Sequence, residues 1–272
     1  MAIKSLNRLL IKLFSHTPLR TILVVPFVVQ TVAAVGLVGY LSYKNGQEAV
    51  EDLAKQLMEE VGERISDRLD RYLQAPQQVV AANHLAWQQG TLDITNLEEV
   101  RQQLWQQTKL NPSMTGIYFL NQRGEAIGYG RILSQDMREV ARKVSGKDVP
   151  IGTIFYTEAK NPAPTQRKFY TADSTGKPQK LVYPVKMNFR TLPWYVQARV
   201  SRKQAWTPLV LYQATPALGL FAVAPVYDRV GQLQAVFAAN VDLASLATFV
   251  KNLPISRSGQ AFILNVARRL PL

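Results

Sequence analysis

The residues best suited to bind a small molecule are aromatic and lie in one part of the chain. The segment 188–198 reads NFRTLPWYVQA and contains Arg190, Trp194 and Tyr195, and Trp206 and Tyr212 follow shortly after it. Tryptophan and tyrosine near an arginine can form an apolar pocket with a few polar groups in its wall. The same residues could equally be core aromatics of an antiparallel domain, and these residues alone do not decide between the two.

The sequence offers no residues arranged for catalysis or metal binding. It has no cysteine, which excludes thiolate chemistry and cysteine-ligated metals. Its two histidines, His16 and His84, cannot by themselves build a metal cluster or a nucleophile triad. No P-loop, G-x-G-x-x-G or G-x-S-x-G motif occurs. We therefore predict a protein that is not an enzyme and that uses no cofactor, catalytic residue or metal.

The net charge of +13 does not indicate nucleic-acid binding. The cations are scattered along the chain rather than gathered into a basic patch. Attraction to anionic lipid head groups or to an acidic cell surface explains the excess more simply. We predict no nucleic-acid partner.

The aromatic segment lies in a region where apolar and polar residues alternate, which predicts antiparallel strands. Helical periodicity precedes this region, and Pro76 is expected to end or kink the first helix. Thr95–Glu98 has the spacing of a capping box and predicts a helix that stops at Asn111. Helices followed by an antiparallel sheet indicate an α+β fold. The candidate strands are 115–120 and 125–130, joined by a hairpin turn at 121–124, and then 152–157, 168–171, 180–183, 206–212, 217–227 and 232–241.

Residues 21–43 form an apolar stretch without a single charged side chain. As a helix the stretch would be about 34 Å long, enough to cross a bilayer core of about 30 Å. A cleaved signal peptide is the weaker alternative, because its apolar region is typically shorter and a small-x-small cleavage site follows it. We predict an uncleaved, single-pass membrane anchor.

The charges on either side of the anchor predict its orientation. Cations without acidic residues precede it, and mostly acidic residues follow it. The positive-inside rule then places the N-terminus in the cytoplasm and the rest of the chain outside it. The cations are Lys4, Arg8, Lys12 and Arg20, and the acids are Glu48, Glu51, Asp52, Glu59 and Glu60.

Apolar residues continue beyond the anchor at steps of three and four, from Val50 through Leu53 and Leu57 to Tyr72. This spacing predicts a long stalk helix with one apolar face. The face could pair with its copy in a homodimer or pack against its own domain, and the two arrangements are compatible.

The order of these features along the chain is an anchor, a long helix, further helices and an antiparallel sheet. In this order the chain resembles the double Cache (dCache) sensor domains of bacterial chemoreceptors, histidine kinases and nucleotide cyclases. Segment 188–198 aligns with the family pattern D-x-R-x-R-P-W-Y-x-x-A, and 226–233 and 236–243 resemble two of its strands. Residues 258–263, SGQAFI, resemble the strand that opens the membrane-proximal lobe. The amino-acid sequence of the anchor resembles cyanobacterial sequences. The resemblance implies a PAS-like antiparallel sheet and a small-molecule ligand bound by Arg190, Trp194, Tyr195, Trp206, Tyr212 and Asn240.

Two departures from the family pattern change the expected ligand. In members that bind amino acids, an arginine two places before the tryptophan holds the ligand carboxylate, and here that position is Leu192. The aspartate that holds the ligand amine falls at Asn240. We therefore expect weak binding of standard amino acids and a preference for a less polar or an anionic ligand.

These features predict a membrane-anchored extracytoplasmic ligand-sensing domain of a signal-transduction receptor, without an output domain of its own. The alternatives are the input part of a split or truncated histidine kinase or cyclase, and an anchored binding protein that works alone. The predicted organisation is a cytoplasmic amphipathic arm (1–20), the anchor (21–43), a stalk and helical region (44–110), a PAS-like Cache lobe (111–253) and an incomplete second lobe with an aberrant tail (254–272).

Overall fold

The computed structural model describes residues 18–160, 166–211 and 217–244. The predictions for the cytoplasmic arm before residue 18, for Tyr212 and for the tail at 254–272 lie outside these residues. The helices are α1 (Leu19–Gln88), α2 (Leu97–Leu110), α3 (Gln135–Ser145) and α4 (Pro193–Ser201), with a 3-10 turn at Phe189–Thr191. The strands are β1 (Gly116–Asn121), β2 (Ala126–Arg131), β3 (Ile154–Ala159), β4 (Gln166–Ala172), β5 (Pro178–Lys186), β6 (Ala205–Trp206), β7 (Val210–Leu211), β8 (Leu218–Tyr227) and β9 (Leu233–Asp242).

Helix α1 continues through Pro76, so of the two expected effects of this proline, an end or a kink of the helix, the end is contradicted. A proline inside a helix removes one hydrogen bond and costs about 3 kcal/mol or more. Apolar side chains on both sides of it, Leu73 before and Val79 and Val80 after, pack in the same core. Burying several such side chains, at about 1.5–3 kcal/mol each, offsets the cost of the proline.

Within the described residues, α1 is the one helix long and apolar enough to cross a membrane by length and composition. Its most apolar part has no buried side chain. Val24, Phe27, Val32 and Leu37 are each half exposed or more. The apolar side chains of this segment are therefore exposed rather than packed in a protein core.

Helix α2 begins and ends close to where the sequence predicts. Asn96 is its N-cap, and its side-chain oxygen accepts hydrogen bonds from the backbone N–H groups of Glu98 at 3.1 Å and Glu99 at 3.3 Å. Asn83 and Gln107 exchange two amide hydrogen bonds of 2.8 and 2.9 Å between α1 and α2. These contacts hold the two helices side by side against the sheet.

The strands form one antiparallel sheet in the order β5-β4-β3-β2-β1-β9-β8-β6, with β7 also paired to β8. The first hairpin lies next to the last strand, as in a PAS-like sheet, and the predicted α+β class is confirmed. The predicted hairpin at 121–124 is present, and a second hairpin joins β4 and β5. The sequence missed helix α3, and in place of the predicted strand 206–212 the structure has only the short strands β6 and β7.

One face of the sheet packs on helices α1 and α2. Successive side chains on a strand point to opposite faces, so alternate residues of each central strand share this core. Phe119 of β1 and Phe237 of β9 are fully buried here, with ring centres 5.1 Å apart. Val80, Val100 and Leu104 cover them from the helices. This face is filled, so the ligand site must be sought on the other.

On the second face of the sheet, the aromatic ring of Tyr118 lies over two glycines. Gly116 on β1 and Gly128 on β2 leave room for the Tyr118 ring, which lies across the neighbouring strand. A Cβ at Gly128 would lie 2.5 Å from Tyr118 Cδ1 and 2.6 Å from the Ile117 carbonyl oxygen. The glycines thus fix where the tyrosine ring lies.

We predict that Gly128→Ala lowers the free energy of unfolding by about 1–3 kcal/mol, because the added methyl group forces Tyr118 and the backbone apart. Gly62→Ala is the matched control, since its Cβ would meet nothing within 4 Å and alanine favours a helix. Urea unfolding of both variants measures the difference. Equal stability of the two variants would contradict the close packing of Tyr118.

Candidate functional site

A cavity of about 90 Å³ lies on the second face of the sheet. Helix α3 and the segment that leads into α4 contribute to its wall, together with strands β1 to β5 and β7 to β9. Most of the wall is apolar, and a few polar groups interrupt it. The lining residues are Thr115, Tyr118, Gly130, Arg131, Ile132, Met137, Ala141, Phe155, Thr157, Arg167, Phe169, Tyr183, Met187, Leu192, Pro193, Trp194, Val210, Leu211, Phe221 and Asn240.

Arg167 on strand β4 is the buried cation of this wall that contacts aromatic rings. Arg167 is 9% exposed, and its Nε donates a hydrogen bond of 2.5 Å to Thr157 Oγ1 on β3. The guanidinium carbon lies 4.8 Å from the centre of the Phe169 ring and 5.1 Å from that of Tyr118. Arg167 is therefore held between aromatic faces by cation–π contacts.

No carboxylate pairs with Arg167 among the residues that the structure describes, and these include all 19 aspartates and glutamates of the chain. Its Nη1 makes one weak contact, 3.7 Å to Met187 Sδ, and the Tyr118 hydroxyl lies near enough to the guanidinium to interact with it. Burial lowers the pKa of Arg167, and the nearby Tyr118 and Tyr183 partly offset this effect. The site thus contains a buried positive charge without a counter-charge.

Arg131 also lines the cavity, but its guanidinium is engaged elsewhere. Its Nη2 donates a hydrogen bond of 2.8 Å to the Thr108 carbonyl oxygen on α2. Burial lowers the pKa of Arg131 as well. This arginine connects the sheet to the helix, whereas Arg167 has donors left over.

Asn240 is the second unusual polar group of the wall. It is 2% exposed, and its side-chain Oδ1 is buried without a hydrogen-bond partner in the described part of the chain. Strands β1 and β8 flank it, where it lies opposite Gly116 and Phe221. An unpaired buried amide oxygen costs about 1–3 kcal/mol, so such groups are rare unless a ligand or water satisfies them.

Aromatic rings close the cavity between its polar groups. The Phe221 ring centre lies 6.3 Å from that of Tyr118 and 6.3 Å from that of Trp194, with the Trp194 ring nearly parallel to it. Tyr183 stacks on Phe169 with ring centres 4.6 Å apart. These rings give a ligand flat apolar surfaces on both sides.

Of the six residues predicted to bind a ligand, Trp194 and Asn240 line this cavity. Tyr195 is buried beside the cavity in the core under α4 but does not line it. Tyr212 lies outside the described residues. Leu192, at the position where the family pattern has an arginine, is buried and lines the cavity.

Two of the predicted residues lie away from this cavity, and a ligand-binding role for them stays a prediction. Arg190 is exposed, and its Nη2 donates a hydrogen bond of 2.7 Å to the Gln122 carbonyl oxygen at the β1–β2 turn. Trp206 pairs with Ala222, so it points to the opposite face of the sheet and packs on the core of α1 and α2. Because successive residues of a strand point to opposite faces of the sheet, a shift of one residue moves a side chain to the other face.

Sequence reasoning missed Arg167, although a signal for it exists. Arg167 and Phe169 share one face of β4, so the cation sits at a position where an inward-facing strand expects an apolar side chain. The polar residues on either side of Phe169 make β4 difficult to recognise as a strand with one buried face. A charged residue in phase with a buried aromatic is the feature that would have identified it.

A third buried arginine, Arg101 on α2, lies outside the cavity wall and has a structural role. Its guanidinium donates hydrogen bonds of 2.8 and 2.7 Å to the two carboxylate oxygens of Glu98. Its Nη1 also donates to the hydroxyl of Tyr129, 3.1 Å away, and this hydroxyl donates to the Gly176 carbonyl oxygen at 2.6 Å. The hydrogen bonds from Arg101 lower the pKa of Glu98 to about 2. The network fastens the β4–β5 turn to α2.

No family model and no curated protein matches the chain. Solved structures do resemble it. The ligand-binding domain of the Pseudomonas aeruginosa PAO1 amino acid chemoreceptor PctB, in complex with L-Gln, is 17% identical with a TM-score of 0.40, and the match covers 70% of this chain and 55% of that one. The sensory domain of the Campylobacter jejuni chemoreceptor Tlp3 is 11% identical with a TM-score of 0.43, with 72% and 63% covered.

The extracellular domain of mmHK1S-Z3, assigned as a histidine kinase, is 12% identical with a TM-score of 0.41, with 68% of this chain and 58% of that one covered. The chain thus spans 55 to 63% of the length of these three structures.

Proposed function

We propose that the chain is the extracytoplasmic sensor part of a membrane-anchored signal-transduction receptor and binds a small molecule in the cavity on the second face of its sheet. The observation that carries this proposal is the cavity wall, in which aromatic rings surround a buried cation and an unpaired amide. Among the described residues the Arg167 charge has no carboxylate partner and the Asn240 Oδ1 has no hydrogen-bond partner, and a bound ligand would supply both.

Thermal unfolding of the full chain in lipid nanodiscs against a library of neutral, anionic and cationic metabolites tests the proposal. A ligand that binds only the folded state raises the midpoint in a concentration-dependent way. We expect at least one compound to do so in the wild type and less in Trp194→Ala, because Trp194 lines the cavity. A library without a single stabilising compound would reject the sensor function.

The topology of the anchor is the second part of the proposal. We expect alkaline phosphatase fused after residue 110 to be active, because the cation asymmetry around residues 21–43 places the following residues outside the cytoplasm. A fusion after residue 18 is the control and should be inactive, since it precedes the anchor. Cytoplasmic activity of a β-galactosidase fusion at residue 110 would contradict the orientation.

We also propose that the stalk pairs with a second copy of the chain. Val50, Leu53 and Leu57 are spaced as one face of a coiled coil and are 57 to 68% exposed. Leu57→Glu should shift the full chain in detergent from dimer towards monomer, whereas Gln56→Glu, which adds the same charge at the neighbouring position, should not. Light scattering measures the mass, and an equal mass of both variants would argue against pairing through this face.

A further inference from the structure

The cavity contains two polar groups that the described protein satisfies only in part: a cation without a counter-charge and an amide oxygen without a hydrogen-bond donor. The Arg167 guanidinium has no carboxylate partner, although every acidic residue of the chain is described. The Asn240 Oδ1 is fully buried and unpaired. Both belong to the wall of one cavity. A ligand that pairs with both groups would remove two unfavourable features at once.

We infer that the cavity binds a small hydroxycarboxylate, with its carboxylate on the Arg167 guanidinium and its hydroxyl group on the side-chain amide of Asn240. The inference rests on the sensor function proposed above and names the ligand class of that site. The anchoring residue is Arg167 on β4, outside the aromatic motif at 188–198.

The charge of the site selects an anion. A carboxylate supplies the missing counter-charge, and the planar guanidinium can hold it with two parallel hydrogen bonds. Thr157 already accepts from Nε, which fixes the guanidinium and leaves its outer N–H groups for a ligand. A neutral ligand would leave the buried charge uncompensated.

The second polar group selects against an amine. Asn240 is neutral, so an ammonium group beside it would add a second positive charge near Arg167 without an acidic partner. A hydroxyl group both donates and accepts, which suits an amide. An α-hydroxy acid therefore fits this wall better than the corresponding α-amino acid.

The size of the cavity limits the ligand. At roughly 10–15 Å³ for each water-sized group, about 90 Å³ accommodates roughly six to nine such groups. This corresponds to a short-chain acid with an apolar body, which Phe221 and Trp194 can contact. Peptides and nucleotides are too large for the cavity as it stands.

The test compares three molecules of the same shape on the full chain in nanodiscs: 2-hydroxyisocaproate, its amide and leucine. Calorimetry should show that the acid binds at least about tenfold more tightly than either of the others, because the amide loses the charged contact with Arg167 and the ammonium group of leucine adds a positive charge that has no acidic partner. Lactate, lactamide and alanine repeat the comparison with a smaller body.

Variants connect the preference to the residues. Arg167→Met should reduce the affinity for 2-hydroxyisocaproate by about 10- to 100-fold and remove the preference for the acid over its amide. Arg167→Lys keeps the charge and should retain part of that preference, which separates loss of charge from loss of fold. Arg199→Met, at an exposed arginine outside the cavity wall, is the matched control and should bind as the wild type does.

The inference is overturned if the acids bind no better than their amides, or if Arg167→Met binds 2-hydroxyisocaproate as tightly as the wild type. It is also overturned if neither hydroxy acid binds while a library compound of another class does, and the sensor function then stands. If no compound of any class binds, both proposals are rejected.

Discussion

Arg101→Met is expected to lower the free energy of unfolding by about 1–3 kcal/mol, whereas Arg167→Met is expected to leave it unchanged or raise it by up to about 2 kcal/mol. The two arginines are similarly buried, at 5% and 9% exposure, and the substitution is the same. A difference of roughly 1–5 kcal/mol between the variants would therefore report on their partners rather than on burial.

The loss at Arg101 follows from its satisfied donors. Methionine would remove two hydrogen bonds to Glu98, one to Tyr129 Oη and one to the Thr175 carbonyl oxygen at 3.3 Å. The Glu98 side chain is 55% exposed, so water can solvate the carboxylate that is left behind. The expected loss is therefore smaller than for a fully buried ion pair.

The gain at Arg167 follows from its unpaired charge. Methionine has a similar length and keeps the apolar contacts with Phe169 and Tyr118, while the cost of burying a cation disappears. The lost cation–π contacts and the hydrogen bond to Thr157 oppose this gain, which keeps the net change small.

Urea unfolding of the ligand-free full chain measures both values, and an unchanged denaturant slope shows that the unfolded state is comparable. A loss at Arg167→Met as large as that at Arg101→Met would mean that Arg167 supports the fold. The interpretation of Arg167 as a ligand anchor would then lose its physical basis.

Much of the fold could be predicted because its signals are local. The Thr95–Glu98 capping spacing predicted the start of α2 to within a few residues, and the turn at 121–124 predicted the first hairpin. Helix α1 was predicted in two pieces, because packing of Val79 and Val80 outweighs the local effect of Pro76. Helix α3 was missed although its sequence carries helical signals: Met137, Val140 and Ala141 recur at steps of three and four, Ser134 is the N-cap and Gly146 the C-cap.

The candidate site was harder to predict because strands far apart in the chain build it. Asn240 and Trp194 were expected from the family resemblance, and both line the cavity. Trp206 packs on the helical side of the sheet, and this could not be predicted because the side on which a strand residue lies depends on its register with β8. Arg167 stands out only when the sheet shows that no acidic residue reaches it.

Asn240→Asp is expected to reverse the preference of the cavity from the hydroxy acid to the amino acid. An aspartate at this position would be buried in the wall that also holds Arg167. In the empty protein it would supply the missing negative charge of the cavity. A bound carboxylate would then be repelled, and an ammonium group would gain a partner.

Each charge-assisted hydrogen bond contributes about 1.5–3 kcal/mol, which corresponds to roughly 10- to 150-fold in affinity. We therefore expect 2-hydroxyisocaproate to bind at least about tenfold more weakly to Asn240→Asp, and leucine at least about tenfold more tightly, than to the wild type. The ratio of the two affinities changes by about 100-fold or more. Calorimetry on the full chain with both ligands measures this ratio directly.

Asn188→Asp is the matched control for this reversal. Asn188 is exposed, and its side-chain oxygen accepts a hydrogen bond from the Arg190 backbone N–H at 3.1 Å, which an aspartate can also do. The variant carries the same added charge outside the cavity wall, so its affinity ratio should match that of the wild type. If Asn240→Asp leaves the ratio unchanged as well, Asn240 does not contact the ligand, and its unpaired oxygen must be satisfied by water instead.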